Sequence, residues 1–432
     1  MKVIQELVEN FKSNLNYFKS NKFNYNEHST RIEFIDPFFQ ALGWDISNKK
    51  GLQPTIREVI PEDYIKATAR PDYTFSVNGI KKFFVEAKKP SVDILKDLSS
   101  AFQARSYGWS AGHLITVLTN FEYLLIYDTT IPPKEGDYPH TALLKKFHFT
   151  EYVDKWEEIS NILSRETLYS GKFDEGFQYL LKSRDYKSID NYFLQEINRW
   201  RVMLANELLI KHGKDYSIEY INDISQNFIN QMVFLRICED RNLPIYHKLH
   251  ETISSPQKMK SELLKVLKVA DKKYNSGLFK DNQIILDLSD EIILDIIKSL
   301  YYPQSPYVFS VIEGNILGEI YELFLAEKLA IENNSIVLTK KKDNINRDIV
   351  STPNEIVKFM VDKALGPLSK GKHPNEILQL RIADIACGSG LFLIEALDYL
   401  IKRTTEWYLN NQPEYLIEIG NGDYSIPFED KK

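Results

Sequence analysis

A tight hairpin, built around an Asn-Gly pair, is the feature that most constrains the fold of this chain. Residues 73–77 alternate between apolar and polar side chains as a strand does, and residues 80–88 form a second strand-like run. Between them stands Asn78-Gly79, the dipeptide that most favours a two-residue turn between antiparallel strands. The pattern therefore predicts a β-hairpin whose two strands lie side by side.

Three charged side chains lie where this hairpin brings its strands together. Glu86 and Lys88 are two residues apart on the return strand and so project from one face, with Val85 and Ala87 on the other. Asp72 begins the partner strand, which predicts that its carboxylate lies within a metal's reach of Glu86. The apolar run before Glu86 indicates a buried strand, where a charge is costly unless it is paired or bound to a metal.

This trio suits the hydrolysis of a phosphodiester bond, which needs a Lewis acid on the scissile phosphate and an activated water. Asp72 and Glu86 are candidate ligands for Mg²⁺, a cation that favours carboxylate oxygens. Lys88 is a candidate catalytic residue, because it can stabilise the developing charge or help to deprotonate the water. The alternative is a surface hairpin with scattered charges, since an Asp followed by Glu-x-Lys is common by chance.

The spacing of apolar residues predicts three regions. Residues 1–165 indicate a mixed α/β domain, residues 166–345 a helical connector, and residues 346–432 the beginning of a third, α/β domain. In the first region, besides the hairpin, the pattern predicts a helix over 27–42, a helix over 91–107 and strands over 113–119 and 121–127. The first helix has Ile32, Ile35, Phe39 and Leu42 on one face; Pro37 divides it and Gly43 closes it.

The third region carries a glycine turn. A helix is predicted from Thr352-Pro353 to residue 366, with proline at its first position. Further along, a strand is predicted to end at Ala386, and another helix to start near Leu391. Glycines between the strand and the helix allow a ligand to approach the backbone closely. A glycine loop alone is weak evidence, because many nucleotide-binding folds use one.

The composition narrows the class of protein. Apolar residues make up 43% of the chain and charged residues 26%, as in ordinary soluble globular proteins. No apolar run approaches the roughly 20 residues of a membrane span, and no signal peptide is evident. Cys238 and Cys387 are the two cysteines, too few for a disulfide framework, so we expect a cytoplasmic protein. A net charge of -6 argues against a non-specific nucleic-acid coat but leaves room for a basic cleft.

The hairpin motif resembles the PD-(D/E)XK nuclease superfamily. Residues 33–44 are similar to the first helix of the nuclease domain in type I and type IIG restriction enzymes, and residues 103–107 to the Gln-x-x-x-Tyr motif that follows the catalytic lysine. The resemblance implies that Asp72 and Glu86 bind a metal and that Lys88 is catalytic. It also implies an additional acid near the metal and two residues that support the site or contact DNA: Glu33, Gln103 and Tyr107. Ordinary helix surfaces are the alternative for these last three.

The string from Asp384 to Leu393 resembles motif I of methyltransferases that act on adenine N6, whose loop wraps S-adenosylmethionine; Ile385 stands where the family usually has proline. Residues 351–357 resemble the preceding motif. The resemblance implies the cofactor contacts Thr352, Pro353, Asp384, Ala386, Cys387, Gly388, Ser389, Gly390 and Phe392. Two further segments, residues 317–322 and 234–241, are similar to connector segments of type IIG enzymes. Helix packing is the favoured role for both, with an ion-pair network of Arg236, Glu239 and Arg241 in the second.

Two parts of an adenine methyltransferase are missing. No Asn-Pro-Pro-Tyr-like loop follows Gly390 to hold a flipped base, and no acid for the cofactor ribose is found. The S-adenosylmethionine site is therefore expected to be incomplete, and the chain to be an N-terminal portion of a longer enzyme. The resemblance covers the chain from about residue 27 to its end.

The prediction is thus a multidomain α/β plus α protein: a PD-(D/E)XK-like nuclease domain, a helical connector and the start of a Rossmann-like methyltransferase domain. We expect a type IIG-like DNA endonuclease that uses Mg²⁺. The expected partners are double-stranded DNA and the missing methyltransferase and target-recognition regions, with dimerisation for double-strand cleavage and no membrane.

Three alternatives stay open at this point. One is a non-catalytic DNA-binding remnant, which metal-dependent nicking would exclude. Another is a methyltransferase subunit, disfavoured by the missing target loop. The third is a type I-like translocating subunit, disfavoured because no Gly-x-x-x-x-Gly-Lys-Ser/Thr phosphate loop occurs in the sequence.

Overall fold

The computed structural model describes residues 1–432 apart from 21–24, 53–55, 62–69, 184–187, 246–247, 276, 281, 313–326, 333–334, 341–351, 353, 388–389, 421–422 and 426–432. The fold is mixed α/β. It divides into two compact units, the first formed by residues 1–189, 231–280 and 293–311, and the second by the remainder. The three-region division stays a prediction. No described helix is both long and apolar enough to span a bilayer.

A six-stranded sheet forms the centre of the first unit. Its strands lie in chain order, and all neighbours are antiparallel except β3 and β4, which are parallel and are joined by helix α5. A helical crossover is what a parallel pair requires, because the chain must return to the same edge. The strands are β1 (Val59–Pro61), β2 (Tyr73–Val77), β3 (Ile80–Ala87), β4 (Ile115–Thr119), β5 (Tyr123–Asp128) and β6 (Leu143–His148).

The helices of the first unit come before, within and after this sheet in the chain. Those before the sheet and in its crossover are α1 (Lys2–Ser13), α2 (Leu15–Phe18), α3 (Glu27–Thr30), α4 (Asp36–Ala41) and α5 (Leu98–Ser110). Those after it are α6 (Trp156–Leu163), α7 (Arg165–Tyr169), α8 (Lys172–Phe177), the end of α10 (Ile218–Asp240), α11 (Lys248–Thr252), α12 (Met259–Tyr274) and most of α14 (Asp290–Lys298). Helix α5 starts at Leu98 rather than at the predicted residue 91, because Asp97 caps it through a hydrogen bond from the Ser100 amide.

The predicted hairpin is confirmed. Tyr73 pairs with Val85 and Phe75 with Phe83 in an antiparallel ladder. The turn between the strands places Asn78 at a φ of 52° and the glycine after it at 83°, as a two-residue turn of this type requires. Register is thereby set so that the residue before Tyr73 lies across from Glu86.

The second half of strand β3, from Phe83 to Ala87, is buried on both faces. On one face Phe83 stacks on Phe75, with ring centroids 4.6 Å apart, in the main core that also contains Val85. On the other face Phe84 packs with Tyr107 of α5 and with Val308. Any charged side chain near the end of this strand is consequently drawn out of water.

The segment predicted as one helix over residues 27–42 is three short helical pieces. A π-helical turn, Arg31–Ile35, separates α3 from α4, and Pro37 lies in the first turn of α4. The wider π turn changes which side chains face inward. Ile32 is therefore 54% exposed, against the prediction that it lies on the buried face, whereas Arg31 is buried.

The second unit contains the long helix α9 (Ile189–His212), the start of α10, and three helices near the end of the chain. These are α15 (Asn354–Ser369), α16 (Pro374–Ile377) and α17 (Leu391–Asn411). Its other elements are helix α13 (Ile284–Asp287) and the paired strands β7 (Glu327–Glu332) with β8 (Ser335–Lys340) and β9 (Ile417–Gly420) with β10 (Asp423–Ser425). The β7–β8 hairpin lies in the region that was predicted to be helical.

The strand predicted to end at Ala386 is absent. Residues 381–384 have no regular secondary structure, residues 385–386 form a turn, and Ile385 is fully exposed. A single strand gains no ladder hydrogen bonds without a neighbour, and no described strand pairs with this segment. Helix α17 begins at Leu391 as predicted, after Gly390 at a φ of 82°.

Candidate active site

The end of the hairpin brings the three predicted residues together. Asp72 Oδ2 accepts a hydrogen bond from the Ala87 amide at 2.7 Å, so its side chain reaches across to the return strand. Lys88 Nζ donates to Glu86 Oε1 at 2.5 Å. The negative charge of Asp72 also acts on Glu86 and helps to raise its pKa. The expected neighbourhood of Asp72, Glu86 and Lys88 is thus present.

Glu86 is the most perturbed carboxyl group of this cluster. Its side chain is 4% exposed, and Oε2 is buried without a hydrogen-bond partner in the described part of the chain. Burial, and after it the charge of Asp72, raises the pKa of Glu86 to about 8. Burial alone would lower the pKa of Lys88, but attraction to Glu86 outweighs it and raises that pKa. Lys88 therefore stays an ammonium ion.

Arg31 is part of the site and was not predicted from the sequence. Its Nη1 donates to Asp72 Oδ1 and its Nη2 to the Asp72 carbonyl oxygen, each at 3.2 Å. Its Nε donates to the Tyr73 hydroxyl at 3.1 Å, and that hydroxyl donates to Asp36 Oδ1 at 2.6 Å. The sequence gives no signal that Arg31 contacts Asp72, because the inward orientation of its side chain depends on the π-helical turn Arg31–Ile35.

The acidic residue nearest to Lys88 from the first helices is Glu27, not the predicted Glu33. Glu27 Oε2 lies 3.9 Å from Lys88 Nζ, and its charge contributes to the raised pKa of Glu86. Glu33 is exposed and accepts a hydrogen bond from the Tyr25 hydroxyl at 3.1 Å. The Glu27 carboxylate thus adds a negative charge to the site.

Gln103 and Tyr107 lie one turn apart on α5. The Gln103 amide nitrogen donates to the Tyr107 hydroxyl at 3.0 Å. Tyr107 is 1% exposed and packs against Phe84, which is two residues before Glu86 on β3. Tyr107 therefore packs on the strand that carries Glu86, and Gln103 holds the Tyr107 hydroxyl.

The donor set fits Mg²⁺. Among the described residues, no group of three or more His, Cys, Asp or Glu side chains is arranged to hold a metal. Mg²⁺ commonly takes one or two carboxylates and completes its shell with water and substrate phosphate oxygens. Asp72 and Glu86 match that demand, and the unpaired Oε2 of Glu86 is a buried acceptor for which a cation would compensate.

The described residues 385–387 of the predicted cofactor loop are exposed on the second unit. Asp384 Oδ1 accepts a hydrogen bond from the Ala386 amide at 3.0 Å, and Cys387 is exposed. The Gly390 amide donates to the Cys387 carbonyl at 2.8 Å. Of the other predicted contacts, Thr352 and Phe392 are half-buried, while Pro353, Gly388 and Ser389 lie outside the described residues.

The connector motif forms an ion-pair network that includes two residues of the predicted trio, Arg236 and Glu239, whose charged atoms lie 4.0 Å apart. Arg236 pairs with Asp240 and donates from Nε to the Leu300 carbonyl at 2.9 Å. Glu239 Oε1 accepts from the Leu249 amide at 2.8 Å. The Phe309 amide donates to Asp240 Oδ2 at 2.8 Å. Arg241 Nε donates to the Phe309 carbonyl at 3.4 Å. These contacts tie the end of α10 to Leu249, Leu300 and Phe309, as expected for helix packing.

Comparison with known proteins gives the chain a relative of known class. No family profile matches it. It is 43% identical over 438 residues to the type II restriction enzyme and methyltransferase RM.Eco57I of Escherichia coli, an alignment that covers 99% of this chain and 43% of that protein. The chain resembles a type II restriction enzyme and methyltransferase. The resemblance expected from the motifs is thereby confirmed.

Two further proteins match the chain at lower identity. RM.MjaORFECS2P of Methanocaldococcus jannaschii, also named as a type II restriction enzyme and methyltransferase, is 24% identical over 100% of this chain and 45% of its own length. Among solved structures, the type IIG restriction endonuclease BpuSI matches 85% of this chain and 37% of its own at 15% identity and a TM-score of 0.29. The chain spans less than half the length of the curated relatives it matches.

Proposed function

We propose that this chain is the nuclease portion of a type IIG-like restriction–modification enzyme and that it hydrolyses phosphodiester bonds of double-stranded DNA with Mg²⁺. The observation that carries the proposal is the buried Glu86, held beside Asp72 and Lys88 at the end of a hairpin. Support comes from a restriction enzyme and methyltransferase that is 43% identical to this chain over 438 aligned residues.

The energetics of Glu86 favour a functional role over a structural one. A buried carboxyl with a pKa of about 8 is carried at a cost to stability, since the folded protein disfavours its charge. A core position is normally filled by an apolar side chain instead. Perturbed carboxyl groups that lie beside a second carboxylate and a lysine are typical of catalytic sites.

Each residue has a distinct role in the proposed reaction. Mg²⁺ bound by Asp72 and Glu86 would polarise the scissile phosphate and favour ionisation of a water. Lys88, which remains protonated, stabilises the negative charge that develops on the phosphate. Gln103 and Tyr107 support β3 from α5.

The second unit is proposed to begin the methyltransferase part, with S-adenosylmethionine near the loop at Asp384–Gly390. Support comes from apolar side chains exposed around that loop and on α15 and α17: Phe359 is 61%, Leu397 59% and Ile401 53% exposed. An exposed apolar surface of this kind commonly marks an interface. We propose that the remaining methyltransferase and target-recognition regions of such an enzyme cover it.

Plasmid cleavage with Mg²⁺ or Mn²⁺, with and without S-adenosylmethionine, tests the proposal. Lys88→Ala and Asp72→Ala are expected to abolish cleavage while the far-UV circular dichroism is retained. The matched control is Lys82→Ala on the same strand, which breaks an exposed ion pair with Asp174, 2.6 Å long, and should leave cleavage intact. Cleavage that survives in either site variant would overturn the assignment.

The absence of cleavage has its own discriminating measurement. Titration of the metal-free protein with Mn²⁺ by calorimetry should show binding that Asp72→Ala removes. If no such binding occurs, the chain is better described as a non-catalytic remnant of a restriction–modification gene. If binding occurs without cleavage, the proposed nuclease needs the methyltransferase and target-recognition regions of the enzymes that it resembles.

A further inference from the structure

We propose that Arg31 is a positioning residue that fixes the Asp72 carboxylate for metal binding. This inference rests on the proposed function, because it assumes that Asp72 binds Mg²⁺. It assigns a role to a side chain that no sequence motif indicates. The Arg31 guanidinium donates hydrogen bonds to Asp72 and is itself held by Tyr73.

The carboxylate of Asp72 is fixed from two sides. The Ala87 amide donates to Oδ2 at 2.7 Å, and Arg31 Nη1 donates to Oδ1 at 3.2 Å. An aspartate side chain rotates about two bonds, so a single hydrogen bond would leave its plane undefined, whereas two bonds to different oxygens define it. An ionised carboxylate offers about four lone-pair sites, so accepting these two bonds is compatible with binding a metal.

Arg31 also fixes the backbone that carries Asp72. Its Nη2 donates to the Asp72 carbonyl oxygen at 3.2 Å. Asp72 immediately precedes the first residue of β2, so its carbonyl lies where the sheet ladder begins. The same guanidinium therefore holds both the main chain and the side chain of one candidate ligand.

The guanidinium is itself held rigidly. Its side chain is 6% exposed, and Cζ lies 4.5 Å from the centroid of the Tyr73 ring. Arg31 Nε donates to the Tyr73 hydroxyl at 3.1 Å, and that hydroxyl donates to Asp36 Oδ1 at 2.6 Å. Hydrogen bonds therefore connect Asp36 of α4 to Tyr73, Tyr73 to Arg31, and Arg31 to Asp72. Partners that orient a metal ligand in this way are a common part of metal sites.

A purely electrostatic role for Arg31 would have the opposite effect from a positioning role. A positive charge beside a metal ligand repels the incoming cation. A variant that keeps the charge but loses the hydrogen bonds therefore separates electrostatic repulsion from positioning. Arg31→Lys does this, because a lysine keeps the charge but cannot donate in the planar fork of a guanidinium. Weaker metal binding in that variant would come from the lost orientation.

The experiment is a calorimetric titration of the full chain with Mn²⁺ alone, without DNA. Arg31→Lys is expected to weaken Mn²⁺ binding by about 10- to 100-fold, the range found when a partner of a metal ligand is changed. Tyr73→Phe keeps both Arg31–Asp72 bonds and removes the hydroxyl that anchors Nε, so it should weaken binding less but in the same direction.

Arg105→Lys is the matched control. Arg105 is equally buried, at 1% exposure, and its Nη1 lies 2.6 Å from Asp137 Oδ2. Both arginine variants should lower the thermal midpoint, but Arg105→Lys should leave Mn²⁺ affinity unchanged. Unchanged or tighter binding in Arg31→Lys would overturn the inference. Wild-type protein whose Mn²⁺ binding is absent, or independent of Asp72, would instead overturn the proposed function and this inference with it.

Discussion

Glu86→Gln should stabilise the metal-free protein, and increasingly so as the pH rises. The substitution keeps the size of the side chain and its hydrogen-bonding oxygen but removes the ionisable group. In the wild-type protein, burial and the charge of Asp72 raise the pKa of Glu86 to about 8, from 4.5 for an ordinary glutamate. The folded state therefore holds a proton that the unfolded state releases.

The sign and size of the effect follow from this difference. The contribution of Glu86 to stability is fully present below the unfolded pKa of 4.5 and is lost as the pH rises through the folded value of about 8. Each pH unit inside that window costs about 1.4 kcal/mol. Between about pH 6 and about pH 9, the free energy of unfolding of the wild type should fall by about 2 to 3 kcal/mol relative to Glu86→Gln.

Urea unfolding, followed by tryptophan fluorescence in a metal-chelating buffer, measures this difference at each pH. Glu58→Gln is the control, because Glu58 is also buried, at 2% exposure, but its pKa is lowered where that of Glu86 is raised. Burial alone would raise its pKa, yet hydrogen bonds from Arg165 and Lys50 lower it, so that variant should be less stable than wild type at neutral pH. A Glu86→Gln difference that does not change with pH would refute the reasoning.

Two further predictions concern the packing behind β3. Burial lowers the pKa of His113 to about 3, so the stability that the neutral imidazole contributes is present above pH 6.5 and is lost as the pH falls. Between about pH 7 and about pH 5, the free energy of unfolding of the wild type should therefore fall by about 2 kcal/mol relative to that of His113→Phe. Urea unfolding measures this difference. A Cβ added at Gly108 would lie 2.6 Å from Thr129 Cγ2, so Gly108→Ala should destabilise by about 1 to 3 kcal/mol. Gly176→Ala, with nothing within 4 Å, should not, and thermal unfolding of both variants decides the point.

The core of the candidate site could be predicted from the sequence because its determinants are local. The Asn-Gly turn sets the register of the hairpin, and register decides which side chains face each other. Asp72 and Glu86 lie 14 residues apart in the printed sequence, yet the turn makes them neighbours. The predicted contact between the two strands needed no information from elsewhere in the chain.

The outer part of the site could not be predicted in the same way. Glu33 lies in the segment that resembles a nuclease helix, but it faces solvent, whereas Arg31 and Glu27 face the hairpin. The helical period assumed for residues 27–42 fails at the π turn. The local sequence pattern does not predict the π-helical turn. A change of one residue in the helical repeat alters which side chains are buried.

By itself, the sequence determined the hairpin, the alternation along β3 and the start of α17 after its glycine, because each depends on neighbours in the chain. The tertiary structure decided the rest. It buried Glu86, turned Arg31 onto Asp72, and gave residues 381–386 no partner strand among the described residues. Burial and strand pairing depend on residues far away in the chain, and a carboxylate acquires unusual chemistry only when those residues exclude water from it.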